Sequence, residues 1–96
     1  MMFDKAKAIF ELKKIQSQLA KEVIEVETGN GAVTIRINGE QKIKSVSLDR
    51  DKLDFNDLPR LEKLIESAVS QAITRSQQVA AEKMKAVTGG LGLPGL

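Results

Sequence analysis

Val33-Thr34-Ile35-Arg36-Ile37-Asn38-Gly39 decides most of the fold. Apolar and polar residues alternate along it, so Val33, Ile35 and Ile37 face one way and Thr34 and Arg36 the other. The β-branched residues favour extended backbone, and the strand reads from Ala32 to Ile37. Asn38-Gly39 closes it with a strong short hairpin signal, because both residues tolerate positive φ. A strand of this kind needs a returning neighbour and a cover for its apolar face.

Both lie nearby. Upstream, Val23-Ile24-Glu25-Val26-Glu27-Thr28 is a second β-branched run, ended by the turn cluster Gly29-Asn30-Gly31. Downstream, the returning strand spans roughly Lys42 to Leu48. Ile43 is out of phase there with Val46 and Leu48, which predicts a bulge or twist near Lys44-Ser45. Three strands in this order form an antiparallel meander with one apolar face.

Helical patterns flank the meander. Over residues 3–22, Phe3 is followed by Ile9, Leu12, Ile15 and Leu19, which recur at three- and four-residue steps. Leu12, Ile15 and Leu19 keep the spacing of a short coiled-coil seam. This helix serves dimerisation or a partner, or packs on its own sheet; the pattern allows both. Asp57 can cap the next helix with Pro59 in its first turn. That helix runs from Leu58 to about Val87, about 45 Å at 1.5 Å per residue.

Its apolar stripe continues through Leu61, Leu64, Ile65, Ala68, Val69, Ala72, Ile73, Val79, Ala80, Met84 and Val87. Short strands cover about half that length. The Ala-rich distal half therefore needs a second subunit or the N-terminal helix. Gly89-Gly90 is expected to stop the helix, leaving 1–88 as one domain and 89–96 as a flexible Gly/Pro tail. The fold class is α+β, an α-β-β-β-α subunit with a three-stranded antiparallel meander and a long C-terminal helix, expected as a homodimer.

Composition narrows the function. Of 96 residues, 42% are hydrophobic, with three Phe and no Trp or Tyr, so few large anchors fill a core and a second copy would help. The chain has neither Cys nor His. That removes disulfides, thiolate sites, the commonest metal ligand and the commonest general base. Asp49-Arg50-Asp51-Lys52-Leu53-Asp54 invites a calcium-loop reading that fails. With Asp49 first, Leu53 takes the fifth place, Asp54 that of the required Gly, and Arg60 that of the closing Glu.

Gly29-Asn30-Gly31 precedes a strand and Gly89-Gly90 follows a helix, so neither cradles a phosphate. No enzyme, cofactor, metal site or small-molecule substrate is expected. Apolar runs fall far below the ~20 residues of a membrane span, and no signal-peptide core follows the N-terminus. A soluble intracellular protein is expected.

Net charge is only +2, yet residues 1–21 hold five lysines against Asp4 and Glu11, while Asp49 to Asp57 holds four Asp against Arg50 and Lys52. Positive charge gathers on the helices. Mixed-charge helical faces can also serve solubility alone; if nucleic acid binds, duplex DNA held by its backbone is the best fit, since the chain offers no aromatic platform and no sequence-reading motif.

The whole order resembles the YbaB/EbfC family. Val33 to Gly39 is similar to that family's second strand and turn, and Val46-Ser47-Leu48-Asp49 to its third strand. Glu62-Lys63-Leu64-Ile65-Glu66-Ser67-Ala68 is similar to the start of its long helix, and Glu82-Lys83-Met84 before a Gly-rich tail to its end. The resemblance implies a homodimer whose helices project like tweezer arms, DNA-binding and nucleoid-associated in the cytoplasm, with roles in chromosome organisation and gene regulation.

Charge and position then nominate Lys5, Lys7, Lys13, Lys14, Arg75, Lys83 and Lys85 as DNA contacts. Leu12, Ile15, Leu19, Ile65, Val69, Ile73 and Val79 are nominated for the dimer interface. The rival reading is a non-enzymatic scaffold dimer that docks another protein through its long helix and C-terminal tail.

Overall fold

A computed structural model describes residues 2–90, and side chains from Lys5 to Ala86. Helix α1 (Met2–Lys21) leads into strands β1 (Val23–Thr28), β2 (Val33–Asn38) and β3 (Ile43–Leu48). A single turn of 3-10 helix at Arg50–Lys52 precedes helix α2 (Leu58–Gly90). The sheet is antiparallel in the order β1-β2-β3, the expected meander. At the start of α2, Asp57 caps as expected: its Oδ1 accepts the Arg60 N–H at 3.3 Å.

Ile24 and Val26 of β1 and Val33, Ile35 and Ile37 of β2 are buried beneath α2. Ala68, Ala72 and Ser76 repeat every four residues along the buried side of that helix. Their small side chains let it settle closely on the β-branched sheet surface, with Leu64, Ile65, Val69 and Val79 closing the margins. Thr28 joins the same face; its hydroxyl donates to the Leu64 carbonyl at 2.9 Å.

The bulge falls where the phase change in β3 placed it. Arg36 pairs with Ser45, and its neighbour Ile37 with Ile43, so Lys44 is the extra residue. Ile43 thereby joins Val46 and Leu48 on the face that α2 covers elsewhere, opposite Ile37, Ile35 and Val33.

Two local expectations are corrected. Asn38 and Gly39 do not form a two-residue turn with positive φ. The loop is Gly39-Glu40-Gln41, closed by the Asn38 N–H on the Lys42 carbonyl at 2.9 Å, and the left-handed residue is Gln41 at φ 65. Asn38 shapes the loop with its side chain, since Oδ1 accepts the N–H groups of Glu40 (2.9 Å) and Lys42 (3.0 Å).

The second correction is at the end of α2, which runs through Gly89 and Gly90 instead of stopping before them. Glycine lowers helix propensity by about 1 kcal/mol without forbidding the conformation. Residues 91–96 of the expected tail lie outside the described residues.

Candidate nucleic-acid interface

One buried polar node sets where α1 projects. Asn38, only 1% exposed, donates from Nδ2 to the Ala20 carbonyl at 3.2 Å, near the end of α1. The Gly39 N–H donates to the Leu19 carbonyl at 2.8 Å. From the other side, the Ser76 hydroxyl of α2 donates to the Asn38 carbonyl at 2.7 Å and accepts the Gln41 N–H at 3.0 Å. The node ties α1, the hairpin and α2 together with every buried side-chain polar atom partnered among the described residues.

Past this anchor α1 rests on α2. Ala8, Leu12 and Ile15 are half-buried and Leu19 is buried, a row that recurs at four-, three- and four-residue steps. Lys5, Lys7, Lys13 and Lys14 are exposed. Lys7 and Lys14, with Lys21, repeat at seven-residue steps and so share one side of α1, turned away from the half-buried row.

The nominated residues of α2 behave differently from one another. Arg75 is exposed and lines an open depression with Ser70, Gln71, Thr74 and Gln78. From Ser67 to Ala81 the helix carries no acidic residue, and Arg75 is its only charge. That neutral, hydrogen-bonding surface suits a polyanion and went unread in the sequence, although the absence of Asp and Glu was its signal. Lys83 is half-buried and pairs with Glu22 at 3.2 Å, so its charge is partly committed within the subunit. Lys85 is exposed.

Of the nominated interface residues, Leu19 is buried under the hairpin, where it packs against Gly39. Ile65, Val69 and Val79 pack at the margins of the subunit's own core. Leu12 and Ile15 are half-buried, and Ile73 alone of the seven is among the exposed large hydrophobics.

A larger apolar surface lies elsewhere. α2 contacts β1 and β2 but not β3 among the described residues, which leaves Ile43, Val46 and Leu48 exposed; Phe55 and Leu58 are exposed as well. The cause is width: a helix about 10 Å across spans two strands set about 4.8 Å apart, not three. That arithmetic was available from the sequence, which shows one long helix for three strands.

No described helix is long and apolar enough to cross a membrane. The family model described as the YbaB/EbfC DNA-binding family matches residues 1–91. A nucleoid-associated protein of Syntrophobacter fumaroxidans is 37% identical over 86 residues, spanning 90% of this chain and 78% of that one. One from Myxococcus xanthus is 36% identical over 86 residues, spanning 90% of this chain and 82% of its own.

An uncharacterized protein of Helicobacter pylori has the same fold in its crystal structure. Its TM-score is 0.69 at 15% identity, covering 85% of this chain and 93% of that one. Its likeness concerns the fold, and the family assignment rests on the sequence matches. With helix, meander and long helix in the family's order over nearly its whole length, this chain belongs to the YbaB/EbfC DNA-binding family, a family of DNA-binding proteins and not of enzymes.

Proposed function

We propose that the protein is a nucleoid-associated homodimer of the cytoplasm that binds duplex DNA through basic helical arms with little sequence preference. Its binding would influence chromosome organisation and gene expression. The observation that carries this reading is the exposed lysine face of α1, turned away from α2 and held in direction by the Asn38 node. Lysines on a helix surface meet phosphates as point charges and read no base edges, so affinity depends on salt more than on sequence. Lys5, Lys7, Lys13, Lys14, Arg75 and Lys85 supply the contacts, and Lys83 contributes what its pairing with Glu22 leaves.

The second copy would cover the β3 strip that α2 leaves open on the sheet's apolar face. Ile43, Val46 and Leu48 share one face of β3 and stay exposed, an apolar strip that a second copy would bury, and Phe55, Leu58 and Ile73 are further exposed apolar side chains open to it. Leu12 and Ile15 lie along the arm, and Ile65, Val69 and Val79 at the core margin, where a partner helix would complete their burial.

Gel shifts on unrelated duplexes across a salt series test the DNA reading. Comparable binding to all of them, falling steeply as salt rises, is expected. No shift at low salt with micromolar protein overturns it. Light scattering tests the dimer, with about 21 kDa expected from two chains of 10.5 kDa; a monomer that stays folded on dilution overturns that part.

A further inference from the structure

Phe10 is the most exposed large apolar side chain among the described residues, with 72% of its surface open. Its place on α1 explains why nothing in the subunit covers it. At 3.6 residues per turn it falls on the side opposite Ala8, Leu12, Ile15 and Leu19, the row turned toward the rest of the protein. Lys7 stands three residues before it, and Lys13 and Lys14 three and four residues after, the spacings at which helix side chains are neighbours. Lys7, Lys14 and Lys21 run past it in a row about 10.5 Å from one to the next.

An aromatic ring ringed by like charges suits a particular partner. A second copy of the same face would bring two sets of lysines together, and an apolar protein groove would leave them unpaired. A duplex offers phosphates at the lysine spacing and, between them, the apolar edges of sugars and bases. We propose that Phe10 is the apolar DNA contact of the α1 arm, pressing its ring on sugar and base edges while Lys7, Lys13 and Lys14 hold the flanking phosphates. The proposal rests on the duplex-DNA reading above and adds to it a contact that releases no counterions.

Salt dependence separates the two kinds of contact. The slope of log affinity against log salt counts phosphates neutralised, about 0.9 for each. Phe10→Ala should lower affinity for a short fluorescent duplex by about tenfold at every salt between about 50 and 200 mM, with the slope unchanged. Lys7→Gln with Lys14→Gln should instead flatten the slope, and Phe10→Leu should keep part of what Phe10→Ala loses. Melting temperature and dimer mass should stay close to the wild-type values in all three, because Phe10, Lys7 and Lys14 are all exposed.

Wild-type protein that binds while Phe10→Ala binds equally well overturns this contact alone. Affinity that falls only in step with dimer mass also overturns it and assigns Phe10 to a protein interface. Wild-type protein that fails to bind overturns the duplex-DNA reading itself.

Discussion

Replacing Gly39 with alanine tests the joint on which the arm depends. A methyl group there would stand 2.6 Å from Leu19 Cδ2, 3.0 Å from its Cβ and 3.1 Å from its Cα. The terminal methyl can swing aside, but the Cα belongs to the helix backbone. That backbone is also tied to the turn, through the Leu19 carbonyl on the Gly39 N–H at 2.8 Å. Turn and helix end must therefore separate by a few tenths of an ångström, stretching this bond and the one from Asn38 Nδ2 to Ala20.

Gly39 is not among the positive-φ residues, so backbone strain adds nothing and the cost is overpacking, about 1–3 kcal/mol. Taking about 2 kcal/mol, melting should fall by roughly 8–16 °C for a domain of this size. Urea or thermal unfolding at one protein concentration measures it, since the apparent stability of the proposed dimer would move with concentration. Glu40→Ala, an exposed change in the same loop, should be near neutral. A Gly39→Ala protein within about 0.5 kcal/mol of wild type would refute the close approach of α1 to the hairpin.

Other substitutions probe the remaining joints. Ser76→Ala removes a buried donor and acceptor together and should destabilise by about 1 kcal/mol in chemical unfolding, leaving the Asn38 carbonyl and Gln41 N–H only their bond to each other at 3.2 Å. Val46→Glu places a charge at the centre of the uncovered β3 face and should shift light-scattering mass toward 10.5 kDa while the far-ultraviolet circular dichroism of the subunit persists; an unchanged dimer mass would remove that face from the interface. Glu22→Gln breaks the half-exposed pair with Lys83 and should cost less than about 1 kcal/mol. The same change frees the Lys83 charge, so DNA affinity at low salt should rise slightly, and a fall would count against Lys83 as a contact.

Much of the fold was legible because local signals agreed. The alternation of Val33 to Ile37 set a strand face, and the phase slip at Ile43 marked the bulge. Asp57 and Pro59 marked the start of α2 through capping chemistry alone. What escaped was set by tertiary contact. Gly39 reads as a turn residue, yet its lack of a side chain serves the approach of Leu19, and the left-handed turn position passed to Gln41. Ser76 looked like one polar residue among several on a helix, but a partner 38 positions away buries it.

The candidate site was legible as a charge pattern only. Exposed lysines could be read from the wheel of α1, whereas the pairing of Lys83 with Glu22 required the two helices to be placed side by side. The interface was harder still, since Leu19 and Val79 look as available in sequence as Ile73. Leu19 is covered by the hairpin turn at Gly39, and Val79 by the strands that α2 crosses.

Lys44 has a consequence for chain length. Because it is the surplus residue opposite the step from Arg36 to Ile37, removing it would leave Ile43, Ser45, Val46, Ser47 and Leu48 in strict alternation, each on the side of the sheet it already occupies. The chain can lose a residue at this position without inverting any neighbour, whereas an internal deletion in β2, where pairing continues on both edges, would swap core for solvent along the strand. Natural variants of this protein one residue shorter in the hairpin should therefore have lost it from the bulge, and would carry a straighter third strand.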